Sequence, residues 1–111
     1  MRTLAAITAV GGYVPETVLT NAALEALVET DDQWIRERTG IAERRILAPG
    51  LATSDMAVEA ARMALEKGNT APEEIELVIC ATVTPDMLFP ATANVLADKL
   101  GLRRAWGFDL E

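Results

Sequence analysis

The sequence predicts an α/β fold with a largely parallel sheet, and three observations carry that prediction. Apolar runs of strand length alternate with helical patterns along the 111 residues. One run, residues 77–82 (LVICAT), is apolar on both sides of the pleat, as a strand covered on both faces requires. Gly40, Gly68 and Gly101 stand where helical patterns stop, placed to take the left-handed conformation that ends a helix.

Residues 3–11 (TLAAITAVG) read as a mostly buried strand closing on Gly11-Gly12. Asn21 is placed to cap a short helix over residues 22–29. In the next stretch, TDDQWIRERTG, Thr30 to Gln33 reads as a capping box: the threonine hydroxyl accepts from a backbone amide and the glutamine reaches back. Asp31 and Asp32 then fall in the first turn, where carboxylates complement the helix dipole. What this helix presents is Trp34, Arg36 and Arg38. Residues 44–47 form a short strand and Pro49-Gly50 a turn. Thr53 or Ser54 caps a longer helix over residues 55–67, with Ala57, Ala60, Ala61 and Ala64 as an inner face small enough for close approach. Pro72-Glu73-Glu74 opens a turn before the 77–82 strand. A loop over residues 83–90 leads into a helix over 91–100, and residues 105–110 (AWGFDL) form another buried strand. Such a strand needs a helix crossing back over its face, so the chain reads as the first piece of a longer protein.

Composition narrows the function. Half of the residues are hydrophobic, which fits a folded domain rather than a disordered segment. No apolar run approaches the ~18 residues of a membrane span, and the N-terminal run reads as a strand rather than a signal peptide. A net charge of −7 argues against non-specific nucleic-acid binding, although Arg36, Arg38, Arg44 and Arg45 cluster within ten residues. There is no histidine, so the commonest general base is missing from these residues. Cys80, the one cysteine, lies mid-strand and reads as a small hydrophobe, with a reducing cytoplasm as the natural setting. Asp86 and Asp109 imitate a carboxylate pair, but capping and turn formation explain them. Neither a glycine-rich phosphate loop nor a Cys/His set with metal spacing is present.

Five stretches, in this order, resemble one family: GGYVPETVLTNAAL, TDDQWIRERTGIAERRI, ATSDMAVEAA, CATVTPDMLFPATAN and WGFDLE. The chain looks like the N-terminal portion of a β-ketoacyl-acyl-carrier-protein synthase III, a thiolase-fold condensing enzyme. The resemblance implies a layered α/β/α/β/α architecture in the complete enzyme, with residues 1–111 supplying part of its first thiolase-like domain. It implies a cytoplasmic homodimer that condenses an acyl-CoA starter with malonyl-acyl carrier protein, without a metal or other cofactor. The family's catalytic cysteine, histidine and asparagine all fall outside these residues, with the cysteine expected just after Glu111. By the same resemblance, Trp34 and Arg38 hold the adenine ring of CoA, with Thr39 beside them. Arg36, Arg44 and Arg45 are left to meet either CoA phosphates or the acidic carrier protein. Phe89 would reach across the dimer to line the partner's acyl pocket.

On the residues alone, Trp34 reads more readily as a packing residue and the arginines as a solvated helix face; the surrounding motif favours ligand contact. Two other functions remain open. One is a related condensing enzyme making a polyketide, alkylquinolone or β-ketone. The other is a non-catalytic CoA- or carrier-binding fragment.

Overall fold

A computed structural model describes residues 4–111, in which the chain divides into two compact units. Val14–Leu51 forms one. Residues 4–13 together with Ala52–Glu111 form the other.

In the smaller unit, strand β1 (Thr17–Thr20) pairs antiparallel with β2 (Glu43–Ile46), with Thr17 opposite Ile46 and Thr20 opposite Glu43. Between them run two helices, α1 (Asn21–Glu25) and α2 (Asp32–Thr39). The expected caps shift by one residue in both. Thr20, not Asn21, caps α1, its hydroxyl accepting from Ala23 N at 3.1 Å. Asp31, not Thr30, caps α2, its carboxyl accepting from Trp34 N at 2.7 Å. Gln33 does not reach back; its amide donates to Glu37 one turn on. A carboxylate accepts from helix amides more strongly than a hydroxyl does, and the ionised group settles the competition between neighbours. Gly40 ends α2 at φ 72°, as expected.

The larger unit holds a β–α–β arrangement. Strand β3 (Leu77–Ala81) pairs parallel with β4 (Trp106–Leu110), Leu77 opposite Trp106 and Ala81 opposite Leu110. Helix α4 (Thr92–Leu100) connects them and ends on Gly101 at φ 70°. One sheet face packs on α4, whose Ala93, Leu96 and Ala97 are buried. Contact there is close enough that a Cβ on Gly107 would lie 3.0 Å from both Ala93 Cβ and Val78 O. The opposite face, with Leu77, Ile79, Trp106, Phe108 and Leu110, is exposed among the described residues. The sequence expectation of a strand covered on both sides therefore holds here for one face only.

Helix α3 (Thr53–Gly68) begins earlier than expected and ends one residue later, with Asn69 in the left-handed conformation at φ 48°. Residues 72–74 make a single 3-10 turn. The predicted strand over residues 3–11 is not one: residues 4–11 are without strand pairing, and Leu4, Ile7 and Val10 are exposed. Residue 3 lies outside the described residues. A strand exists only where a neighbour takes its amides and carbonyls, and no described strand lies alongside this one. The stretch packs instead by its glycine: a Cβ on Gly11 would collide with the Ala60 carbonyl and come 2.7 Å from Ala64 N. The half-buried alanine face of α3 thus does admit close approach, as its small residues suggested.

Helix α4 has an alanine at its N-cap and no local side-chain cap. Asp109 on β4 does that work from across the sheet, accepting from Thr92 N at 2.6 Å and Ala93 N at 2.7 Å. Burial pushes the Asp109 carboxyl up, but the bonds from Ala93 and Thr92 outweigh it and hold the group below its ordinary value of 3.8. A folded-state value below the unfolded one stabilises the fold above the unfolded value, and that contribution disappears as pH falls through the folded one. Asp109→Ala should cost ~1–2 kcal/mol in urea denaturation, and Asp109→Asn less, because one acceptor oxygen remains. The penalty of Asp109→Ala should shrink progressively as pH falls below about 4, and vanish only once the pH passes below the lowered folded-state value and the native carboxyl takes up its proton.

Candidate functional site

The residues singled out by sequence fall in both units, and each unit shows how its own are held. Trp34, Arg36, Arg38 and Thr39 all lie on α2. Only Ile35 of that helix is buried. Trp34 is 54 % exposed, too open for a core residue. One turn on, the Arg38 guanidinium lies over its ring, 5.5 Å from the centroid, within range of a cation–π contact. Thr39 is spent on closing the helix: its hydroxyl donates to Ile35 O at 2.7 Å and accepts from Ile41 N at 3.1 Å.

The other three arginines are engaged. Arg36 Nε donates to both oxygens of Asp32 at 2.8 Å. Arg44 donates to Asn21 Oδ1 at 2.8 Å and Leu19 O at 3.3 Å. Arg45 donates to Pro15 O at 2.9 Å. Arg38 is the member of the cluster whose partner is an aromatic face rather than an oxygen. Beside Trp34 lies an open depression of about 270 Å³, lined also by Glu29, Thr30 and Asp31. Two carboxylates on its wall favour a neutral flat group there over a phosphate.

Asn21, expected only as a helix cap, has a role that sequence reasoning missed. It is 1 % exposed and all its polar atoms are used. Its amide nitrogen donates to Asp32 Oδ1 and Ile41 O, both at 2.8 Å, while its oxygen accepts from Arg44. This one side chain joins α1, the start of α2 and the approach to β2. An asparagine next to a capping threonine gives no sign of this in sequence, because its partners lie 11 to 23 residues away.

Phe89 belongs to the larger unit, in the loop between β3 and α4. It is 87 % exposed, and Leu88 beside it is fully exposed. Cys80 is buried, and burial first, then the carboxylates of Asp109 and Asp86, push its thiol up. That environment suits a packing residue and not a nucleophile. Asp86 and Asp109 each bond helix amides, the capping role expected of them. Among the described residues no group of three or more His, Cys, Asp or Glu side chains is placed to hold a metal ion. No described helix is long and apolar enough to cross a membrane.

The fold defines a class. Solved structures superpose on nearly the whole chain, among them the priming β-ketosynthase of the R1128 polyketide pathway (TM-score 0.87, 36 % identity, 94 % of this chain and 31 % of that one). Xanthomonas campestris OleA also matches, at TM-score 0.81 and 28 % identity over 94 % of this chain and 33 % of that one. The chain has the α/β fold of the N-terminal part of thiolase-like condensing enzymes. Within that class it is similar to β-ketoacyl-acyl-carrier-protein synthase III. The Solibacter usitatus protein of that name is 58 % identical over 106 residues, 96 % of this chain. The Aquifex aeolicus 3-oxoacyl-acyl-carrier-protein synthase III structure matches with a TM-score of 0.86 and 44 % identity, over 94 % of this chain and 33 % of that one. The chain spans about a third of the length of the curated relatives it matches. No family model matches it.

Asn21→Ala should leave Asp32, Ile41 O and Arg44 short of partners and cost ~2–3 kcal/mol, read as a fall in the urea midpoint. Asp32 is held below its ordinary value of 3.8 by the Asn21 amide and by Arg36. Its contribution is therefore present above about pH 4 and lost on further acidification; Asp32→Asn should flatten that acid limb of the stability curve.

Proposed function

We propose that the chain is the N-terminal portion of a condensing acyltransferase that joins an acyl-CoA starter to malonyl-acyl carrier protein with loss of CO2, opening fatty acid synthesis. In this reading residues 1–111 are part of the first thiolase-like domain of a cytoplasmic homodimer. The acyl thioester is already activated, so the reaction calls for no cofactor. A cysteine beyond Glu111 forms the acyl-enzyme and releases the CoA thiol. A histidine and an asparagine, also beyond it, assist loss of CO2 from the carrier-bound malonyl group, and the resulting carbanion attacks the acyl-cysteine thioester, taking the acyl group and freeing the cysteine thiolate.

The observation that carries this reading is the Trp34–Arg38 pair, exposed and with the guanidinium already over the indole ring. Adenine is flat and electron-rich, and suits a slot with an indole on one side and a guanidinium on the other. Two stacking contacts need roughly 7 Å between the walls, so Arg38 has to draw back from its present 5.5 Å as the base enters. Thr39, next to Arg38 in sequence, keeps one lone pair unused. Arg36, Arg44 and Arg45 each commit part of their five N–H donors to Asp32, to Asn21 or to backbone carbonyls, which leaves the rest for a CoA phosphate or the carrier protein. On the larger unit, exposed Phe89 fits a residue that lines the acyl pocket of a second subunit.

The similarity to a polyketide priming ketosynthase and to OleA supports a second reading, with the same chemistry applied to another acyl chain. Mass analysis of the product made by the full-length enzyme from acetyl-CoA and malonyl-acyl carrier protein separates the two.

Trp34→Ala in the full-length enzyme should weaken CoA binding by roughly 5- to 150-fold, the equivalent of ~1–3 kcal/mol for a lost stacking contact. Trp34→Phe should recover part of it. Unchanged affinity in calorimetric titrations of Trp34→Ala would remove the adenine platform from this reading.

A further inference from the structure

We propose that Asp86 is a positioning residue for the apolar tip Met87-Leu88-Phe89, and through it sets which acyl chains the enzyme accepts. The inference rests on the reading of Phe89 given above. Helix α3 starts on Ala52, which has no side-chain acceptor for the helix amides beyond it. Asp86, 32 residues away, supplies one: its Oδ1 accepts from Ser54 N at 2.8 Å. Next to this bond, Thr53 Oγ1 donates to Thr84 O at 2.7 Å. The Asp86 amide is oriented toward Thr92 Oγ1 at 3.4 Å, at the start of α4. Ser54 and Thr92 have no exposed surface, so both anchors stand on fixed ground.

These bonds stop at Asp86. The next three side chains are 49 %, 101 % and 87 % exposed. A large apolar side chain held out in water by nothing of its own takes its position from the anchored residues that bracket it, here Asp86 before the tip and Thr92 after it, which Asp86 itself joins. The helix lacks a cap and the loop supplies it, and the same contact fixes where the tip emerges.

The test uses the full-length enzyme and a series of straight-chain acyl-CoA thioesters of increasing length, scored as the ratio of kcat/KM for long over short starters. Phe89→Ala comes first and should change that ratio. Asp86→Ala should change it in the same direction by about fivefold, the effect of losing one capping bond. Asp86→Asn, whose amide oxygen still accepts from Ser54 N, should restore it. Thr53→Val removes the second anchor without touching Asp86 and should give a smaller shift. On a Phe89→Ala background, Asp86→Ala should add nothing to the ratio, whereas a general structural effect would persist. A normal ratio in Asp86→Ala, or a full extra effect on the Phe89→Ala background, overturns the positioning role while leaving Phe89 in place. An unchanged ratio in Phe89→Ala sinks the reading of Phe89, and this inference with it.

Discussion

Much of this structure depends on one interaction, a carboxyl group set against free amides at the start of a helix. Asp31 closes α2 locally, Asp109 closes α4 from the neighbouring strand, and Asp86 closes α3 from a loop. The first amides of a helix have no partner inside it, and the helix dipole concentrates positive potential there. Where the residue at the N-cap itself carries no side-chain acceptor, as at Ala52 and Ala91, the acceptor here is brought in by tertiary structure. Two of the three helices begin on alanine, so their ends are correct only once the sheet and loop are in place. Part of the acidity of the chain is thereby used internally rather than displayed to partners.

The arginines follow the same economy. Four within ten residues suggest a positive patch, but three of them are tied to Asp32, Asn21 or backbone carbonyls. Arg38, resting on an aromatic ring, has given up the least to reach its position. A cation–π contact at an exposed site is worth only ~0.5–1 kcal/mol, so the pair opens at small cost. The bonds that fix the start of α2 are less easily broken, which keeps the indole in place while the guanidinium moves.

The helices and the β3–β4 pair were readable because their signals are local: the long apolar run, the Trp-Gly-Phe alternation, and glycines at 40 and 101. The resemblance in ordered motifs was readable for the same reason. What escaped has partners far off in sequence. Strand β1 was missed, since its four residues acquire strand character only opposite β2, more than twenty residues later. Residues 4–11 carry a strand-like composition, yet composition cannot provide the neighbour a strand needs. Asn21, expected as a cap, is the buried hub and leaves the cap to Thr20, because both roles use the same amide and hydroxyl chemistry and only burial tells them apart.

The two tryptophans divide between the two units, Trp34 in one and Trp106 in the other. Their surroundings differ: a guanidinium lies over the first, and Phe108 sits 5.9 Å from the second at a 31° tilt. Each unit thus contains its own fluorophore, with a charged neighbour in one case and an aromatic one in the other. Emission from single-tryptophan variants reports on each unit separately, and whether the two signals are lost together measures how far the units share one cooperative transition.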